Sequence, residues 1–424
     1  MSSTRKIAVN HLTRVEGHGN ISIKIKDGHL EEARWEVVET PRFFEAILVG
    51  KKWENAPWLC GRICGICSIG HTLASIRAVE RAFGLAVTPE VDKFRLLLKH
   101  METMQSHILH LCFLVAPDFL GTGSVFPLIG SHPDTVKLAA RLKMLANQAC
   151  ELIGGRSLHP TRTVVGGFTM FPERAELAAL KVKLAAALPE LDGLAGLIAT
   201  FAIPDFSRET EFVSLKGEGR YPFIGGALVS TDGVVRAEDD YLAMSNEYCV
   251  EQSTSKWSQL SRPSFAVGAL ARLNNNYQLL TPGARALAER FGLAPVNHNP
   301  FMNNVAQLVE CVQVVEDSLL LIDELLAAPW GKPRQEVTPR AGRGVAAVEV
   351  PRGILYHCYE FDGEGRITKA DCVIPTSQNH ANIQHDLVAL AEEMAAAGKS
   401  DAEIEKLAEM LVRAYDPCIS CSVH

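Results

Sequence analysis

Two Cys-x-x-Cys pairs stand at opposite ends of this 424-residue chain, and each is followed by a histidine. The first lies in Arg62-Ile63-Cys64-Gly65-Ile66-Cys67-Ser68-Ile69-Gly70-His71; the second closes the chain as Asp416-Pro417-Cys418-Ile419-Ser420-Cys421-Ser422-Val423-His424. Four thiolates can make a tetrahedral site for a soft metal. A zinc ribbon sets its pairs roughly 15–20 residues apart, whereas here most of the chain intervenes. If one metal centre uses all four sulfurs, the fold must bring its two ends together, which predicts a single domain over 1–424. Spacing alone leaves open a structural zinc site, or two unrelated pairs.

Composition narrows the setting. At 47% hydrophobic and 21% charged residues the chain is that of an ordinary globular protein. A net charge of −7 gives no electrostatic footprint for nucleic acid. Eleven cysteines, an odd number in so long a chain, do not form a disulfide framework. No apolar run of signal length follows Met1-Ser2-Ser3-Thr4-Arg5-Lys6, which with the odd cysteine number fits a reducing compartment where thiols stay free. The most apolar long stretch, 184–203, is interrupted by Pro189, Glu190 and Asp192; it reads as a buried helix, and no membrane span is expected.

The opening reads as strands: Ile21, Ile23 and Ile25 alternate with polar residues, and Asp27-Gly28 signals a turn into 30–38. Helical periodicity predicts helices over 71–83, 89–115 (stopping before Pro117), 133–153, 172–187 and 303–326. The segment 212–235 reads as strands and turns, 345–374 as a β-hairpin around Asp362-Gly363, and 381–414 as two closing helices. The expected fold class is mainly α with a small β portion (α+β). It is a bundle of long helices whose N-terminal and C-terminal strands meet at a buried metal site.

Five motifs occur in order: Arg14-Val15-Glu16-Gly17-His18, Arg62 to His71, Gly155-Arg156 with His159-Pro160, Pro351-Arg352-Gly353, and Asp416 to His424. Together they resemble the large subunit of nickel–iron hydrogenases over essentially the whole chain. Pro41-Arg42-Phe43-Phe44-Glu45-Ala46-Ile47, Pro375-Thr376-Ser377-Gln378-Asn379 and Arg413-Ala414-Tyr415 resemble the cytoplasmic, multi-subunit, bidirectional NAD(P)-linked branch, including the sulfhydrogenases.

That resemblance implies reversible heterolytic cleavage of dihydrogen. Cys64 and Cys418 would be terminal nickel ligands, and Cys67 and Cys421 would bridge nickel to an iron carrying carbon monoxide and cyanide. The proton would go to the Cys418 thiolate and on to Glu16. Arg352, behind the rigid Pro351, would lean over the metals and donate to one cyanide; Thr376 would donate to the other. Asp416 would orient Arg352 or a water, and His71 would hydrogen-bond a bridging sulfur. Many uptake-type relatives carry an aspartate where this chain has Ser106, which thins the charge around Arg352. Glu45, the Cys372 carbonyl and His424 would hold magnesium or a similar hard ion.

The resemblance also implies a maturation protease acting after His424, and nickel-insertion proteins. The chain lacks further cysteine motifs for clusters of its own. Electrons would therefore leave through a small subunit with iron–sulfur clusters. Without a Gly-rich dinucleotide fingerprint, NAD(P) and flavin would sit on further subunits, with more iron–sulfur proteins. A deazaflavin acceptor, a heterodisulfide reductase complex and a regulatory hydrogen sensor are alternatives. A metal-free relative of quinone-reducing complexes would have lost the four cysteines, and all are present. Cys60, Cys112, Cys150, Cys249, Cys311 and Cys358 have no partner spacing; most read as small core hydrophobes.

Overall fold

The structure, a computed structural model, describes residues 4–424. Strands Thr4–Val9, Gly19–Lys26 and His29–Val37 form an antiparallel meander. Period-2 alternation buries Ile21, Ile23 and Ile25 on one face, and this sheet packs on helix Pro375–Ala396. Helices Pro89–Leu109, Pro133–Gly154, Arg174–Ile198 and Asn303–Ala327 pack against one another as the main bundle. The expected mixture of long helices and small sheets is therefore the observed one.

A second antiparallel sheet lies on helix Ser68–Phe83, built of strands Gly342–Val350, Gly353–Phe361 and Ile367–Val373. Its central strand is almost wholly buried, which is why it shows no apolar–polar alternation. Helix and sheet approach closely at Gly344, where an added Cβ would fall 2.0 Å from the Ala78 carbonyl oxygen.

Three expectations are corrected. The single hairpin over 345–374 is a three-stranded meander, with an extra tight turn at Pro351-Arg352. Pro-Arg is not among the usual hairpin turn pairs, and the reversal depends on Gly353 at φ 132°. The helix expected over 89–115 ends its regular run at Leu109, widens into a π-turn over His110–Val115, then continues through Pro117 to Phe119. The proline is accommodated because it enters a fresh first turn, where its missing N–H is not needed. Pro189 likewise does not end helix Arg174–Ile198. It faces solvent together with Ala185, whose carbonyl loses its helical partner and is left to water.

Candidate metal centre

Each cysteine pair sits at the start of a helical turn. Cys67 is the residue before helix Ser68–Phe83, and the backbone N–H groups of Ile66 and Cys67 donate to Cys64 Sγ at 3.2 and 3.0 Å. Cys418 opens the terminal turn Ile419–Ser422, and its own N–H donates to Thr376 Oγ1 at 3.0 Å. The four sulfurs are buried and lie within 4.8 Å of one another, with Cys64 and Cys418 3.7 Å apart. The Cys418 and Cys421 sulfurs are in direct contact, and it is as thiolates that all four would serve as ligands.

Burial pushes the Cys64 thiol up, but hydrogen bonding from Cys67 and the nearby Arg352 guanidinium carry it below the ordinary value. Cys67 is pushed well up by donating to Cys64 and by burial. The Arg352 guanidinium lowers both thiols of this pair.

That cation is fixed firmly. Arg352 Nε donates to the Asp416 carbonyl at 2.6 Å and its Nη2 donates to Asp416 Oδ1 at 2.8 Å. Gln307 Nε2 donates to the other carboxylate oxygen at 3.2 Å, and Asp416 adopts φ 51°. Arg352 Nη1 is buried with no protein partner, as is His71 Nε2. A soft dithiolate-rich pocket with a free guanidinium donor fits a metal group that carries its own polar ligands.

Glu16 is tied to the other side. Its backbone pairs with Cys418, the Ile419 N–H donating to the Glu16 carbonyl at 2.8 Å. Its carboxylate accepts from the Ser420 N–H at 3.0 Å and from the Ser420 hydroxyl. Cys418 Sγ lies 3.2 Å from Glu16 Oε2, a contact that becomes a donated hydrogen bond once Cys418 is a thiol.

Two residues expected at the second site, Glu45 and His424, lie next to each other. His424 Nε2 is 3.4 Å from Glu45 Oε1, and burial of that carboxyl is outweighed by His424, which keeps it below its usual value. Cys372 meets Glu45 through its backbone N–H, at 2.8 Å, where the resemblance implies its carbonyl. Both groups of one residue face the same edge of an extended strand, so the carbonyl shares that open edge.

Ser106 is buried with its hydroxyl unpartnered, and the adjacent His107 bonds Glu310 at 2.7 Å. Sequence reading missed what lies behind this pair. Arg272 clamps Glu310 with two 2.6 Å bonds and donates to the carbonyls of Val350 and Pro351 at 3.0 and 3.1 Å. It thereby holds the turn that carries Arg352. The available signal was Glu310 itself, a carboxylate inside an apolar helical run. Of the leftover cysteines, Cys249 is exposed and so departs from the expected core role.

Comparison with known proteins agrees with this geometry. A family model described as nickel-dependent hydrogenase matches residues 42–143 and 265–424, and a HoxL-like model matches 6–40. Sulfhydrogenase 1 subunit alpha of Pyrococcus furiosus is 36% identical, aligned over 99% of this chain and 97% of its own length. The HoxS subunit beta of the NAD-reducing hydrogenase of Cupriavidus necator is 28% identical over 99% of this chain and 95% of its own. Among solved structures, an NAD+-reducing [NiFe]-hydrogenase in the H2-reduced state superposes with a TM-score of 0.90 at 28% identity, covering 99% of both chains. With a family model matching over half its length and relatives aligned end to end, the chain belongs to the nickel-dependent hydrogenase large-subunit family and is an oxidoreductase acting on dihydrogen.

Proposed function

We propose that this chain works as one body over 1–424, the hydrogen-activating subunit of a cytoplasmic complex. Electrons leave through an iron–sulfur small subunit toward flavin- and NAD(P)-binding partners. The observation that carries the site assignment is Glu16, whose carboxylate spans Cys418 Sγ and Ser420 from the opposite end of the sequence.

Cys64, Cys67, Cys418 and Cys421 would hold nickel and iron, the iron with carbon monoxide and cyanide. The bound metals would supply the site at which dihydrogen is polarised. The protein's own part is proton handling and orientation. Cys418 takes the proton at Sγ and Glu16 Oε2 receives it, the carboxylate being held in place by Ser420. Arg352 Nη1 and Thr376 Oγ1 would donate to the diatomic ligands; Thr376 accepts from the Cys418 N–H and keeps its own hydrogen free for this. Pro351 stiffens the turn, Asp416 aligns the guanidinium, and His71 would donate to a bridging sulfur. Glu45, His424 and the Cys372 carbonyl would hold magnesium or a similar hard ion near the C-terminus.

The NAD(P)-linked reading is supported by full-length similarity to the NAD-reducing hydrogenase subunit of Cupriavidus necator and to a solved NAD+-reducing [NiFe]-hydrogenase. Relatives named F420-non-reducing hydrogenase, 32% identical in Methanothermobacter thermautotrophicus, keep other acceptors in view. Among the described residues no helix is long and apolar enough to cross a membrane. The test is hydrogen-dependent reduction of NAD, NADP, deazaflavin and ferredoxin by the purified complex. NAD(P) reduction is expected. Turnover with deazaflavin alone would replace this acceptor, and binding without turnover would make the protein a sensor.

A further inference from the structure

Three further ligand-bearing side chains converge outside the thiol pocket. Cys60 Sγ, a ring nitrogen of His357 and Cys372 Sγ lie within 4.8 Å of one another, and all three residues are fully buried. Among the described residues, only the four thiols of the first site form another such group. The buried Cys112, Cys150, Cys311 and Cys358 belong to neither and stand as core hydrophobes.

The fold aims the three at one point from distant parts of the chain. His357 and Cys372 face each other across strands Gly353–Phe361 and Ile367–Val373, so their side chains share one face of the sheet. Tyr359, two residues beyond His357, joins them on that face. Cys60 is the last residue of helix Asn55–Cys60, and its sulfur is 3.1 Å from the Tyr359 hydroxyl. That hydroxyl donates to Ser75 Oγ at 3.0 Å, which leaves its lone pairs for the cluster. The Cys372 backbone N–H meets Glu45 at the strand edge, so the sulfur is free of the hard-ion site.

The distances suit a tetrahedral ion. Cys372 Sγ is 3.5 Å from His357 Nδ1. Zinc bonds of about 2.3 Å to sulfur and about 2.0 Å to nitrogen make a tetrahedral edge of about 3.5 Å. The Tyr359 hydroxyl is 2.6 Å from the same nitrogen. It must draw back by about 0.7 Å to take a fourth tetrahedral place. His357 Nε2 lies 3.2 Å from His71 Nδ1, and a zinc-bound imidazole ordinarily has such a partner for its far nitrogen.

Two thiolates, an imidazole and a phenol oxygen form a borderline-soft donor set. Magnesium and calcium are held by oxygen ligands, and an iron–sulfur cluster is held by four cysteines. A divalent ion with two thiolates carries no net charge, which a fully buried pocket can accept.

We propose that Cys60, His357 and Cys372 hold a structural zinc ion, with the Tyr359 oxygen as fourth ligand. The ion ties helix Asn55–Cys60 to two strands of the second sheet. Cys60 lies four residues before Cys64, and strand Gly353–Phe361 begins just after Arg352. One closed site thus fixes the first cysteine pair relative to the guanidinium. It uses none of the four thiols of the metal centre.

The test is anomalous diffraction from crystals of the purified complex, recorded on both sides of the zinc absorption edge. A zinc peak enclosed by Cys60, His357 and Cys372 is expected. No peak there, or a peak belonging to another metal, would overturn the proposal. The nickel–iron reading fails separately: zinc in place of nickel among Cys64, Cys67, Cys418 and Cys421 contradicts it and leaves this site standing. The zinc content of Cys60→Ala should fall by about one ion per chain. Undiminished zinc in that variant, once folded, would also overturn the proposal. The unsubstituted crystals decide even where the variant does not fold.

Discussion

At the scale of single residues, the site depends on groups whose charge state is set by their neighbours. Glu16 is held by backbone pairing and by Ser420, so Glu16→Gln should leave the fold and the metals in place. Removing a positioned proton acceptor costs on the order of 10²–10⁴ in rate. Hydrogen–deuterium exchange should fall by that amount, with the infrared bands unchanged. Glu310 tests the support behind Arg352. Burial raises its carboxyl, but Arg272, and then His107, hold it down to about 2 from an ordinary 4.5. Because folding lowers this value, its stabilisation is complete above pH 4.5 and is lost as the pH falls toward about 2. Glu310→Gln should lower stability at neutral pH by about 1.5–3 kcal/mol, since it removes the two-bond clamp on the buried Arg272 guanidinium and leaves Glu349, at 3.0 Å, as its carboxylate partner. It should also flatten the acid limb of denaturant-unfolding curves measured across that window. The cysteines, Glu16 and Arg352 were legible because each stands in a local motif. Arg272, His107 and His357 were not, because their partners are far away in sequence and nothing local marks them.

At the scale of elements, the turn between strands Gly342–Val350 and Gly353–Phe361 decides where Arg352 stands. Gly353 combines φ 132° with a close approach: an added Cβ would lie 2.4 Å from Val267 Cγ2 and 2.9 Å from the Gly268 nitrogen. Gly353→Ala should therefore cost about 2–4 kcal/mol from strain and crowding together. Chemical denaturation measures that loss, and hydrogen turnover should fall with it as Arg352 shifts. Helix periodicity gave the long helices closely, since their apolar stripes are strong. It erred at Pro117 and Pro189, where the cost of proline depends on whether its freed carbonyl meets water or a new first turn. It also merged two sheet turns into one, because a strand buried on both faces carries no alternation to mark its ends.

At the scale of the whole molecule, the two ends of the chain are joined by specific bonds. Arg42 N–H donates to the Val423 carbonyl at 2.9 Å, and its guanidinium donates to the carbonyls of Ile63, at 2.8 Å, and Ser420. These are the residues just before Cys64 and Cys421, so one side chain clasps both cysteine pairs. Arg413 donates to the Thr13 carbonyl at 3.0 Å and to Asp118 at 2.8 Å, which Arg14 also engages. Trp35 reaches His380, which in turn meets the Ser422 hydroxyl at 3.1 Å. Arg42→Ala should cost only about 1–3 kcal/mol, yet lower the nickel content of the purified complex well below that of the unsubstituted one. Metal analysis beside a thermal melt separates the two effects. That the ends must meet was legible from the cysteine pairs; which side chains bind them was not. The central claim is that the four sulfurs hold nickel and an iron bearing diatomic ligands. Infrared spectroscopy of the anaerobically purified complex tests it most directly. The account predicts iron-bound carbonyl and cyanide bands. Zinc in the matured protein, with no such bands, would contradict it.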